Sequence, residues 1–282
     1  MQDAEFTVGV MNDSEVRLAV DWAAEEGWNP GFEDARCFGP VDPGGFFIGK
    51  IDGVPASTIS VVNYDPQFSF LGFYIVRPDL RGNGYGLRTW QAAIGHAGSR
   101  IIGLDGVVSQ QENYAKSGFK LAYRNVRFGG TPLGLDGPPS DVVFLRDIPL
   151  RFVEAADDQV FPASRTGFLR AWIGAPGHLG HALVRDGELV GWGIIRPCRR
   201  GHKVGPLIAR DRSIAERVFA SLVASVNGGE IFIDVPEPNE AAMALAQEQG
   251  LEPVFQTARM YTGPIKPVEL SRIFGITSFE LG

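Results

Sequence analysis

The feature that most restricts the fold of this chain is a weak internal repeat. Asp52-Gly53 sits between the apolar runs 46–51 and 54–59, and Asp186-Gly187 between 181–185 and 189–195. Each reads as a β-hairpin, because Asp-Gly supplies the positive φ angles of a tight two-residue turn. The strand-like Ile102-Gly103-Leu104-Asp105-Gly106-Val107 has a counterpart in residues 231–236, and helix-like stretches end at Gly118-Phe119 and Gly250-Leu251, each glycine suited to a left-handed cap. The pairs 52 and 186, 102 and 231, and 118 and 250 lie 134, 129 and 132 positions apart. Nearly one offset, recurring three times, predicts two similar units of roughly 140 residues, an ordinary domain size. The turn-rich stretch 129–139 falls between them, giving expected units 1–138 and 139–282.

Composition narrows the class. Lys and Arg number 26 against 33 Asp and Glu, a net charge of -7 that disfavours a general nucleic-acid binder. No apolar run reaches the ~18–20 residues of a membrane span, and the start Met1-Gln2-Asp3-Ala4-Glu5 lacks a signal-peptide pattern. A cytoplasmic protein without membrane or nucleic-acid partners is expected. Cys37 and Cys198 form neither a disulfide framework nor a metal-ligand spacing. Within the first unit the order is a strand at 5–11, a helix capped by Ser14 and running to Glu26, β-runs at 54–64 and 68–76, a glycine-rich turn, a helix at 86–97, a strand from 101 and a helix ending at Ser117. That order predicts an α+β (mixed α/β) fold, each unit a mixed, mostly antiparallel sheet flanked by helices.

The segment that carries chemistry is Ile75-Val76-Arg77-Pro78-Asp79-Leu80-Arg81-Gly82-Asn83-Gly84-Tyr85-Gly86. A strand enters a loop with three alternate glycines and a helix follows, so backbone N–H groups and the positive helix end can cradle a pyrophosphate. The P-loop lysine is missing, the spacing is not Gly-x-Gly-x-x-Gly, and hairpins precede the loop, which sets aside NTPase and dinucleotide folds.

Residues 81–86 fit Gln/Arg-x-x-Gly-x-Gly/Ala, and Tyr114-Ala115-Lys116-Ser117-Gly118-Phe119 fits Tyr-x-x-x-Gly-Phe. In that order the two motifs resemble the GNAT superfamily of acyl-CoA N-acetyltransferases. The second unit resembles it less completely. Residues 239–245 and 249–251 look like the family's Asn-x-x-Ala-x-x-Leu helix leading to Gly-Phe, but Ala246 replaces the tyrosine and residues 209–212 lack glycines. The pair is similar to the tandem branch with a YitH-like C-terminal domain, one intact copy followed by a degenerate one.

The resemblance implies direct acetyl transfer from acetyl-CoA to a primary amine of a small molecule, with no metal. It implies that Ile75 and Val76 hold the pantetheine arm, that Arg81, Gly82, Asn83, Gly84, Tyr85 and Gly86 bind the pyrophosphate, and that Tyr114 protonates the leaving thiolate. Glu26 is the expected base, since it shares a helix face with Trp22 and abuts the turn. Trp22, Trp28 and Asn29 fall where this family builds its acceptor pocket. Seven acidic residues between Asp13 and Asp34 read either as an attractant for a cationic amine or as a solvated helix face. His178 and His181 read as ordinary loop histidines, and the basic cluster Arg196, Arg199, Arg200, His202 and Lys203 either as a site for a phosphate or an anionic partner or, more commonly, as a solvated strand edge. A tandem chain is compatible with a monomer. A CoA-binding scaffold without turnover and a protein N-acetyltransferase are the competing functions.

Overall fold

The computed structural model describes residues 5–133, 139–226 and 228–282, so the expected boundary at 138 lies outside the described residues. The first half runs β1 (Phe6–Val10), α1 (Asp13–Glu25), α2 (Asp34–Phe38), β2 (Phe46–Ile51), β3 (Val54–Asn63), β4 (Phe68–Val76), α3 (Tyr85–Ile94), β5 (Ile101–Val107), α4 (Gln111–Lys116) and β6 (Lys120–Gly130). The second runs β7 (Val142–Phe144), α5 (Leu150–Asp157), α6 (Thr166–Ile173), β8 (Leu179–Arg185), β9 (Glu188–Pro197), β10 (His202–Ala209), α7 (Arg212–Ala224), β11 (Ile231–Pro236), α8 (Glu240–Glu248), β12 (Glu252–Tyr261) and β13 (Ile273–Gly275). The repeat is thus real element by element. Both hairpin turns have positive φ at both positions, 48° and 82° at Asp52-Gly53 and 52° and 80° at Asp186-Gly187. Gly118 and Gly250 are left-handed, at 89° and 76°. Helix α1 starts one residue before the expected cap: Asn12 accepts from the backbone N–H groups of Ser14 and Glu15, and Glu15 returns a bond to Asn12. That reciprocal box satisfies more orphan donors than Ser14 alone could.

The strands form one continuous mixed sheet in the order β1-β2-β3-β4-β5-β12-β6-β11-β10-β9-β8-β7, with β13 beside β10. Among the described strands only β4–β5 and β10–β11 pair in parallel. The last strands of the halves are exchanged. β12, from the second half, completes the first half's sheet against β5, and β6 completes the second against β11. The two exchanged strands pair antiparallel at the centre, where Thr257 faces Asn125. A cut between the halves would therefore take from each the strand that closes its sheet.

The apolar core also ignores the boundary. Phe38, Phe46 and Phe73 of the first half pack in one cluster with Phe168, Trp172 and Trp192 of the second. Phe38 stacks on Trp172 with ring centroids 5.7 Å apart. Truncating either ring would cost about 3–5 kcal/mol, so the halves fold as one body. None of the described helices is long and apolar enough to cross a membrane.

Candidate active site

Parallel pairing of β4 with β5 covers only Phe68–Leu71 against Ile101–Leu104. Beyond it, β4 carries an extra residue relative to β3, the register shifting between Thr58 and Ser60. Phe73 sits at φ 49° in this bulge, and Thr58 Oγ1 donates to its carbonyl at 2.8 Å. A bulge bends its strand. Here it turns β4 away from β5, and a cavity of about 610 Å³ opens between residues 72–76 and 105–107.

The glycine loop lies at the cavity's rim. Gly82 and Gly84 have φ of 82° and 80°, and a Cβ on either would meet nothing within 4 Å, so backbone conformation rather than crowding calls for glycine there. At Gly86 the reason is the reverse: a Cβ would lie 2.8 Å from the Tyr74 hydroxyl. Asn83 closes the turn by donating to the carbonyls of Leu80 and Arg81. Helix α3 then begins at Tyr85 with no side-chain cap, whereas α1, α7 and α8 are capped by Asn12, Asp211 and Asn239. An uncapped N-terminus preceded by left-handed glycines presents free N–H groups and a positive dipole end to an anion.

Tyr114 on α4 lines the same cavity. It is buried, stacks on Trp90 with centroids 6.0 Å apart, and packs so closely over β5 that a Cβ at Gly106 would overlap its ring at 2.2 Å. Burial, with Tyr74 beside it, pushes its phenol up to about 12. The hydroxyl is therefore a proton carrier at any physiological pH.

Of the remaining expected site residues, Ile75, Val76, Arg81, Gly82, Glu26 and Trp28 line the cavity. The Glu26 carboxylate is engaged by Arg81 Nη2, and Arg81 Nε donates to the Val76 carbonyl at 3.0 Å. Arg81 thus clamps the start of the glycine loop to the end of β4, and Glu26 ties the end of α1 to that clamp. Trp22 and Asn29 lie elsewhere. Trp22 packs on the shared core. Asn29, left-handed at φ 52°, brackets Arg200 of the second half by bonding both its carbonyl and its N–H. The acidic run 13–34 is largely consumed by ion pairs, Glu15–Lys50, Asp21–Arg199, Glu26–Arg81, Glu33–Arg36 and Asp34–Arg196.

Sequence reasoning missed the wall that the second half contributes. Phe255 and Thr257 of β12, and Phe279 beyond β13, line the cavity together with the first half's residues, among them Asp105 of β5. Behind this wall Arg127 donates to the Trp28 carbonyl at 2.6 Å and lays its guanidinium over Phe279 (4.5 Å) and near Phe255 (5.9 Å). The aromatic spacing of β12 carries no local hint that this strand would leave its own half.

The equivalent slot in the second half is shut. β10 and β11 pair in parallel over only three residues, His202–Val204 against 231–233. Where they diverge, β13 fills the gap, pairing Leu207 with Gly275 and Ile208 with Ile273, while Ile276 N–H bonds the Asp234 carbonyl. Asp211 caps α7 by accepting from Ile214 N–H, placing a carboxylate where an anion would have to sit.

Comparison with known proteins agrees with this geometry. The Acetyltransferase (GNAT) family profile matches residues 13–119, and an Acetyltransferase (GNAT) domain profile matches 153–275. A holothin acyltransferase from Pseudoalteromonas sp. (strain SANK 73390) is 32% identical over 95% of this chain and 92% of its own. The chain belongs to the GNAT acetyltransferase family. It is a tandem GNAT acyltransferase, similar also to the Uncharacterized N-acetyltransferase YitH of Bacillus subtilis (strain 168), at 23% identity over 92% of each chain. A crystal structure from Pyrococcus horikoshii superposes with a TM-score of 0.84 at 21% identity, covering 98% of this chain and 96% of that one. The tandem GNAT protein from the clavulanic acid biosynthesis pathway gives 0.65 at 14%, over 92% and 99%. At these identities the two structures speak to the fold alone.

The other polar clusters of this GNAT chain are architectural. His178 lies in a loop as expected while His181 is on β8, and both are buried: His178 Nδ1 bonds the Trp172 carbonyl at 2.8 Å and His181 Nδ1 the Ser221 hydroxyl at 2.6 Å. Desolvation holds His178 down at about 4. The basic cluster is solvated only in part: Arg199 and Arg200 are exposed. Arg196 and Lys203 are fully buried, and Arg196 pairs with Asp34 across the two halves. Burial pushes the Cys37 thiol up to about 12, as suits a small buried side chain.

Proposed function

We propose that this protein is an acetyl-CoA-dependent N-acetyltransferase acting on the amine of a small molecule, with one active centre per chain, in the first half. The observation that carries this reading is the asymmetry of the two slots. The β4–β5 slot holds the glycine loop, the bulged strand end and Tyr114 on one cavity, whereas β13 occupies its counterpart. In this reading the loop and the uncapped start of α3 hold the pyrophosphate. Backbone groups of residues 73–76 line the thioester's path. Donors fixed in a bulged strand need no reorganisation as charge develops on the carbonyl oxygen.

The nitrogen lone pair attacks the thioester carbon, a C–N bond forms and the C–S bond breaks. Tyr114 gives its proton to the departing sulfur, and the proton shed by nitrogen restores it through solvent. Glu26, held by Arg81, is better suited to fixing the loop than to acting as a base. The identity to the holothin acyltransferase supports a small-molecule acceptor. The test is thiol release from acetyl-CoA across a panel of small amines. Turnover with at least one amine, abolished in Gly84→Asp, is expected. Acetyl-CoA binding without turnover on any amine would leave a scaffold role instead.

A further inference from the structure

We propose that Arg165 of the second half is a positioning residue for acyl transfer in the first: it holds residues 276–282 against the bulged end of β4 and so fixes one wall of the cavity. The proposal rests on the acyl-transfer reading above.

Residues 276–282 follow β13 and are buried throughout. At one end of this segment Ile276 N–H bonds the Asp234 carbonyl of the second half. At the other, Tyr64, in the turn between β3 and β4, donates its hydroxyl to the Leu281 carbonyl at 2.8 Å. Between these ends the Glu280 carbonyl presses on Gly72, so closely that a Cβ there would lie 2.1 Å from its oxygen. Gly72 has no left-handed φ, so the segment above it, not its own backbone, calls for glycine. It immediately precedes Phe73, the left-handed residue of the bulge that turns β4 away from β5. Phe279 of the same segment lines the cavity. One stretch of chain therefore bears on both the bulge and the wall.

Arg165 grips that stretch near both ends. Its Nη2 donates to the Thr277 hydroxyl and its Nη1 to the Gly282 carbonyl, each at 2.9 Å. The guanidinium is fixed in turn by Asp157, at 2.7 and 2.8 Å, and lies 3.9 Å from the centroid of the Phe161 ring. None of these partners lines the cavity, so Arg165 can act on the reaction only through the segment. Acyl group and acceptor must meet beside the bulge, where a misplacement of about 1 Å costs on the order of 100-fold in rate. The glycine loop at 81–86 is reached by none of these bonds, so acetyl-CoA should stay bound when the segment is loosened.

The test is a mutant cycle in the full chain, using acetyl-CoA and the fastest amine of the panel above, well below the melting temperature. One arm is Asp157→Leu with Arg165→Met, which frees the segment without stranding a buried charge. The other is Gly72→Ala, which pushes on the segment from the first half. Each should lower kcat about tenfold or more while the acetyl-CoA Kd stays within about twofold. Combined, they should cost little more than the worse arm, because both act through one segment. Should either arm fail to fold, Tyr64→Phe takes its place, keeping its ring on Phe161 and losing only the bond to Leu281, with a kcat loss of about threefold expected. Unchanged kcat in the folded variants, losses that multiply, or an acetyl-CoA Kd that weakens in step with kcat would overturn the proposal and leave the acyl-transfer reading intact. No transfer by wild type to any amine would remove both.

Discussion

Asp105 on β5 is bound by two guanidinium nitrogens of Arg259, a residue 154 positions further along the chain on the exchanged strand β12. The relationship is reciprocal. Arg127 on the other exchanged strand, β6, binds Asp234 on β11 the same way, at 2.6 and 2.8 Å. The paired side chains are buried in both. Each half thus supplies the aspartate for one lock and the arginine for the other. A buried pair gains little over an apolar replacement but costs about 3–5 kcal/mol to break by removing one partner.

Arg259→Met should therefore destabilise the protein by about 3–5 kcal/mol, because it strands the Asp105 carboxylate beside the cavity. Adding Asp105→Leu should recover much of that loss, since the double variant leaves no unpaired charge. Denaturant unfolding of the two variants checks this. Equal stability of Arg259→Met and wild type would mean that the lock contributes nothing.

Acetyl-CoA should titrate to one site per chain. Gly84→Asp should abolish that site: a Cβ there meets open space and aspartate tolerates φ 80° better than most residues, so the fold survives while a carboxylate faces the pyrophosphate. Calorimetric titration and a melting curve on the same variant separate lost binding from lost folding. Two sites in wild type would contradict the closure of the second slot by β13. For the same reason Ala246→Tyr should restore no second activity.

His178 gives the acid limb of stability a definite sign. Its folded pKa lies at about 4 against 6.5 for the free side chain, so the unfolded chain binds more protons between those values. The neutral-imidazole contribution is complete above pH 6.5 and falls away toward pH 4, by an amount on the order of 2–3 kcal/mol. Desolvation lowers His181 in the same direction. Melting temperatures of wild type and His178→Gln between pH 4 and 7 should converge at the acid end. A constant gap would show that the imidazole does not titrate in this window.

Much of this was legible in the sequence, and the rest was hidden for a physical reason. Asp-Gly turns, left-handed cap glycines and the 81–86 loop are local: each residue type is needed by its own backbone or its own ligand. The strand exchange is not local. Because the halves are repeats, Asp105 and Asp234 occupy equivalent places, as do Arg127 and Arg259, so either arginine suits either aspartate and no pattern says which it will meet. The same ambiguity concealed Phe255 and Phe279 as parts of the first half's cavity. Glu26 was placed at the site by helix spacing, but spacing could not disclose that Arg81 would claim its carboxylate.

If acetyl transfer runs through Tyr114 in the first half, as proposed, Tyr114→Phe is the decisive variant. The substitution keeps the ring stacked on Trp90 and removes one proton donor. General acid catalysis contributes about 10²–10⁴-fold, so kcat should fall by that factor while acetyl-CoA affinity and melting temperature change little. With the phenol pushed up to about 12, wild-type kcat should show no loss of this acid between pH 7 and 10, the decline beginning only above. A kcat within about threefold of wild type, below the smallest factor expected of a general acid, would contradict the account.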